Sequence, residues 1–203
     1  ALLESAAYFN VDTPVFTKVA LDYLQDHVDK VSEDASIRVV YAMSVTGASG
    51  THSRLLKYLF RKIGASTSWE RHKLRIFQLW VCQLLQYPWL DARLPKRCLN
   101  AGLRAWCLHR RGYGCPFPDE VRSISAELRA MGVAHRIFVP VRNTPYEIDI
   151  QIGNRKDALL VVSELARNLH TVVGGTLLQL RHLSGSGWRA AVVPRGRWQQ
   201  LSS

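Results

Sequence analysis

The chain has 203 residues, 47% of them hydrophobic, which gives it enough length and apolar content for one or two packed domains and excludes a disordered chain. No apolar run approaches the roughly 20 residues that cross a bilayer, and the first residues, Ala1-Leu2-Leu3-Glu4, do not form a signal-peptide pattern. The net charge of +11 is uneven: residues 1–50 carry three Lys/Arg against seven Asp/Glu, residues 51–112 thirteen against two, and residues 134–203 nine against four. Such asymmetry predicts a polyanionic partner. The four cysteines, Cys82, Cys98, Cys107 and Cys115, form no Cys-x-x-Cys pair and have no histidine at zinc spacing, so they read as free thiols of a reducing compartment.

Asp12 or Thr13 can cap a first helix that starts at Pro14. Val15, Val19, Tyr23 and Leu24 lie along one side of it, with Asp22, Asp26 and Asp29 elsewhere. A second helix covers about Asp34 to Val45 and ends before Gly47-Ala48-Ser49-Gly50. The third runs from Ser53 to Ile63. Leu55, Leu56, Leu59, Phe60 and Ile63 fall on one arc, Arg54, Lys57 and Arg61 on the opposite arc, and Lys62 at its edge. A cationic arc is often no more than a solvated face, but the lack of balancing acids favours a binding face here. Thr67 and Glu70 read as a capping box for a fourth helix, which stops at Pro88. Arg71, Lys73 and Arg75 crowd its first turns, where the helix dipole disfavours cations and an anionic partner would relieve the cost. A fifth helix starts near Pro95 and ends in Arg110-Arg111-Gly112. These consecutive helices predict a solenoid-like arrangement, although no repeat of fixed period is present.

Pro116-Phe117-Pro118 is the predicted linker between a helical region, residues 1–115, and a second domain, residues 119–203. Asp119 opens a helix with Val121, Ile124, Leu128 and Met131 on one stripe, closed by Gly132, and Ile137-Phe138-Val139 follows as a strand. Tyr146, Ile148, Ile150 and Ile152 alternate with polar residues, which predicts a strand with one buried face. Leu159 to Val162 suits a strand buried on both faces. Leu177, Leu178, Leu180 and Leu183 have helical spacing, Gly185-Ser186-Gly187 breaks the chain, and Trp188 to Val193 forms a last strand stopped by Pro194. The order α-β-β-β-α-β implies a mixed sheet with helices packed on it, so the whole chain reads as α+β or α/β.

Several residues of this last third occur in a recognisable order: Tyr146-x-Ile148-Asp149, a hydrophobic strand ending in Glu164, His170, Gly175-Thr176, Leu180 to Leu183, Gly187-Trp188, and Val193-Pro194 with Trp198. In that order and spacing the segment resembles the RAP domain, an RNA-binding module of apicomplexan proteins and of the Fas-activated serine/threonine kinase family of mitochondrial RNA regulators. The resemblance implies a PD-(D/E)xK nuclease-like fold. Nucleases of that fold hold Mg²⁺ with an acid on one strand and a Glu-x-Lys on the next. Asp149 and Glu164 stand in the two acidic positions, while Ala166 stands where the Lys belongs. Arg167 points to the other side of an extended chain, which leaves Lys156 as the one cation able to reach in from the preceding loop. The expectation is therefore of vestigial carboxylates, with no catalysis, metal or cofactor. Trp188 and Trp198 are expected to close a core, His170 to be a hydrogen-bonded loop residue, and Gly174-Gly175 to be a helix entry turn. The expected RNA-binding residues are Arg54, Lys57, Arg61, Lys62, Arg71, Lys73 and Arg75, with Arg181, Arg195 and Arg197 from the C-terminal module. Together these features imply a non-catalytic RNA-binding protein of the mitochondrial matrix without a membrane span. It would be a mitochondrial ribosome component on ribosomal RNA among neighbouring proteins. The alternatives are an organellar RNA-processing or RNA-stability factor, a metal-dependent endoribonuclease using Asp149 and Glu164, and a protein scaffold.

Overall fold

The computed structural model describes residues 2–8, 14–48, 50–66, 68–113, 115–142, 144–163 and 174–201. The chain divides into two compact units, residues 1–108 and 109–203.

The first unit is helical: α1 (Leu2–Tyr8), α2 (Pro14–Asp26), α3 (Glu33–Thr46), α4 (Ser53–Ala65), α5 (Lys73–Leu85) and α6 (Lys96–Tyr113), the last of which runs into the second unit. Helix α3 lies at its centre, in contact with α1, α4 and α5. Ser32 starts it, its Oγ accepting the Ala35 N–H at 3.2 Å, and Gly47 ends it in the left-handed region at φ 75°. The expected apolar arc of α4 is buried throughout, with Leu55, Leu56, Leu59, Phe60 and Ile63 at 0–1% exposure. Where α6 crosses α5, Gly102 lets the backbones approach: a Cβ there would lie 2.9 Å from the Lys73 carbonyl oxygen and 2.9 Å from Phe77 Cβ.

Two expectations for this unit need correction. Helix α2 buries Thr17 and Leu21, and its apolar line Val15, Val19 and Tyr23 is left in solvent at 62–76% exposure. The periodicity is real, but α4 packs on the other side; the expected caps Asp12 and Thr13 lie outside the described residues. The fourth helix also begins later than its capping box implies. Ser68–His72 is a 3-10 turn and α5 starts only at Lys73. Glu70 binds the Lys73 ammonium at 2.8 Å, and Thr67 lies outside the described residues.

The second unit runs α7 (Pro118–Ala130), β1 (His135–Pro140), β2 (Glu147–Ile152), β3 (Asp157–Val162), α8 (Gly174–Gly185), β4 (Arg189–Pro194) and α9 (Arg195–Leu201). The sheet order is β1-β2-β3-β4, with the first two pairings antiparallel and the last parallel. A parallel pair needs a crossover, which α8 supplies. One face packs Ile148, Ala158 and Leu160 with Leu183 of α8. The other packs Ile150 and Val161 with Val121 and Ile124 of α7, and Trp198 of α9 joins them. The expected α-β-β-β-α-β order is present, with α9 added at its end. Helix α7 starts at Pro118, which takes the first-turn place, rather than at Asp119. Met131 does not extend its buried stripe. The helix ends at Ala130, and Met131 is exposed ahead of the left-handed Gly132.

The alternating strand also departs from expectation. Ile148 and Ile150 are both fully buried but in opposite faces of the sheet. The β1–β2 ladder pairs Ile137 with Ile150 and Val139 with Ile148 and skips Phe138 opposite Asp149, and Phe138 has φ 54°. The β2–β3 ladder ends at the Ile150–Leu159 pair. The chain rolls over at this gap, so two residues of equal parity face opposite sides.

Candidate nucleic-acid interface

The polar arc of α4 is fixed by its buried arc, because Leu55, Leu56, Leu59 and Phe60 leave no freedom of rotation. Arg54 and Arg61 are exposed and Lys57 is half-buried. Lys57 and Arg61 converge on Asp91, at 2.6 and 3.9 Å, in the loop that follows α5. Both cations hold the Asp91 carboxyl below its usual range, with the Lys57 hydrogen bond contributing most. Lys62 turns away from this group. Its ammonium donates to the carbonyls of Val31 (2.5 Å) and Asp29 (3.5 Å) and lies over the Tyr58 ring.

The cations expected to crowd one helix start are instead spread apart. Arg71 is an exposed residue of the 3-10 turn, Lys73 is held by Glu70, and Arg75 binds Glu4 at 2.6 Å while stacking over Tyr41. The anions that relieve Lys73 and Arg75 are thus carboxylates of the same chain. The same exchange recurs along the unit. Asp22 meets His52 (3.0 Å), Asp29 accepts from Tyr58 Oη (2.9 Å), and Asp34 binds Arg38 (2.9 Å) and His72. Of these acids, Glu4 is the one that pairs with an arginine of the basic middle among the described contacts, while the others bind Arg38 of their own segment or histidine and tyrosine side chains.

In the second unit the expected RNA-binding arginines stand on two helices, α8 and α9. Arg195 pairs with Glu120 at 2.5 Å over the Phe117 ring, tying α9 to α7, while Arg197 is exposed and Arg181 is half-buried on α8. Trp188 and Trp198 pack against the two cores as expected, and Trp198 Nε1 donates to Ser123 Oγ at 3.2 Å. His182 is a core residue whose Nδ1 meets Tyr146 Oη at 2.7 Å, and burial pushes its pKa down to about 4.

Asp149 does not face solvent on an alternating strand, as the simplest structural reading of that strand would have it. Its Oδ2 accepts the Val161 N–H at 2.6 Å, and its Oδ1 lies 3.4 Å from Cys115 Sγ. Burial raises its pKa, with the Val161 hydrogen bond opposing, and burial beside the same carboxylate pushes the Cys115 thiol up to about 12. The carboxylate thus takes up a main-chain donor where the ladder is broken. Glu164, Ala166, Arg167 and His170 lie outside the described residues. Lys156 donates to the Ser186 carbonyl at 2.8 Å, beside the start of β3. Val161, the Asp149 partner, is five residues further on, about 16 Å along an extended strand. Among the described residues no three His, Cys, Asp or Glu side chains are grouped to hold a metal. Among them, too, no helix is long and apolar enough to cross a membrane.

The chain matches no model of a known protein family and no characterised protein. Two residues that the sequence patterns do not single out, Trp89 and Arg93, lie on the loop whose Asp91 meets Lys57 and Arg61. Their signal is a tryptophan and an arginine in a short stretch bounded by Pro88 and Pro95.

Proposed function

We propose that this protein is a non-catalytic RNA-binding protein of mitochondria, a structural component of the mitochondrial ribosome seated on ribosomal RNA among neighbouring proteins. The observation that carries the reading is the charge left outward on the first unit. Arg54, Arg61, Arg71, Arg93, Lys96, Arg97 and Arg104 are all exposed, and Glu70 and Asp91 are the only acids in the same stretch of sequence. Carboxylates hold Lys73 and Arg75 closely, whereas Arg61 meets Asp91 only at 3.9 Å and Arg93 and Arg97 meet carbonyl oxygens, so this set keeps exposed positive charge for phosphates. The mitochondrial setting, the nuclease-like fold of a RAP-like module and the solenoid-like character of the helical region come from the resemblance and from helix order. The absence of catalysis is read from Ala166 in the Lys position. A nuclease lacking that cation has no local activator for the attacking water.

RNA affinity should fall steeply as salt rises, because each neutralised phosphate releases counterions. Changing Arg54, Lys57 and Arg61 together to Ala should weaken binding to many RNAs and flatten the slope of log affinity against log salt. An unchanged slope would remove this face from the interface. Sedimentation of the protein with ribosomal RNA in a large particle tests the ribosomal role. Metal-dependent RNA cleavage, lost in an Asp149→Ala, Glu164→Ala variant, would replace the reading with the nuclease alternative.

A further inference from the structure

We infer that Trp89 is a stacking platform for an unpaired base of a single-stranded RNA segment, with Arg93 of the same loop, and Lys57 and Arg61 that meet Asp91 of that loop, as phosphate contacts. The inference rests on the RNA-binding reading and assigns it a site. Trp89 is 54% exposed although it sits on a loop pinned from several sides. Tyr87 is buried in the core and its Oη donates to Ser44 Oγ at 3.1 Å. The Gln83 amide clamps the far side of the loop: its Nε2 donates to the Ala92 carbonyl at 2.5 Å and its Oε1 accepts the Leu94 N–H at 3.0 Å. Arg93 donates to the carbonyls of Pro88 (2.9 Å) and Gln83 (3.2 Å), and Lys57 reaches Asp91 at 2.6 Å. Tyr87 and Trp89 meet edge to face, 6.2 Å between ring centroids and 68° between planes. Whichever ring offers its edge, that contact leaves at least one indole face uncovered.

A tryptophan is among the costliest side chains to leave in water, and here the loop is too well tied to turn it inward. Every base has a π-face, so stacking on such a ring is tolerant of sequence, and neighbouring cations hold the backbone. Asp91, the one acid of the loop, is itself occupied by Lys57. A paired duplex keeps its bases in the stack and would use the cations alone, so the indole selects for unpaired RNA.

The test is fluorescence anisotropy with the full chain, a labelled single-stranded oligoribonucleotide and the duplex of the same sequence, comparing wild type with Trp89→Leu and Trp89→Phe. Trp89→Leu should weaken single-strand binding about tenfold and leave duplex binding and the salt slope unchanged. Trp89→Phe should fall between Trp89→Leu and wild type. Wild-type affinity of Trp89→Leu for the single strand would overturn the inference and leave the RNA-binding reading standing. Equal losses on single strand and duplex, or equal losses in the Leu and Phe variants, would overturn stacking as well. A wild-type protein that binds neither RNA would overturn both.

Discussion

Asp149 shows how one side chain can complete a sheet that its backbone leaves open. Opposite it, Phe138 holds φ 54°, a region that costs a non-glycine residue about 1–3 kcal/mol, and the ladder to β1 skips a rung. The Val161 N–H is left for the carboxylate. Because burial raises the Asp149 pKa above its unfolded value, its contribution to stability is fully present below the unfolded pKa and is lost as pH rises through the folded one. Asp149→Asn keeps an acceptor for Val161 and removes the buried charge. It should melt at or above wild type at pH 7, with the gap closing as pH falls into the carboxylate range. Asp149→Ala removes the acceptor and should lose about 1–3 kcal/mol. Thermal melts of the three proteins across that pH range check this, and an Asn variant less stable than Ala would contradict it. The alternation of Ile148 and Ile150 was legible in the sequence. Their division between two faces was not, because a strict alternation predicts one face for both and the break in the ladder at Asp149 leaves no mark in the sequence.

At the scale of elements, legibility followed contrast. Helix α4 was readable because its five buried residues and its cations occupy opposite arcs. Helix α2 was readable as a helix, but its buried side is marked only by Thr17 and Leu21, a weaker signal than Val15, Val19 and Tyr23 on the exposed side. Strand β3 was readable because a strand covered on both faces must be apolar throughout, whereas the partner strands of a parallel pair cannot be chosen from local pattern. The crossing of α5 and α6 left no pattern beyond one glycine. Gly102→Ala ought to gain about 1 kcal/mol from helix propensity. Its Cβ, however, would press within 2.9 Å of the Lys73 carbonyl, which cannot move aside without moving α5. The crossing should prevail, with a net loss of about 1–2 kcal/mol read as a lower urea midpoint. A midpoint equal to or above wild type would show that the helices separate freely.

For the whole molecule, the charge asymmetry that suggested a polyanionic partner is partly spent within the first unit. The location of basic charge was legible in the sequence. Its internal partners were not, because pairs such as Arg75 with Glu4 join residues remote in the chain. Glu4 also lies 3.7 Å from Arg38, so a single carboxylate restrains two guanidinium groups. Glu4→Gln keeps the size of the side chain and gives up that restraint. RNA affinity measured at fixed salt should then rise a few-fold, on paired and unpaired RNA alike, and an unchanged affinity would show that Arg38 and Arg75 are out of reach of phosphates. The consequence concerns discrimination. On the proposed RNA-binding reading, the acids of the first fifty residues would mark where a nucleic acid is repelled, and a variant lacking one of them would bind more tightly and choose less well.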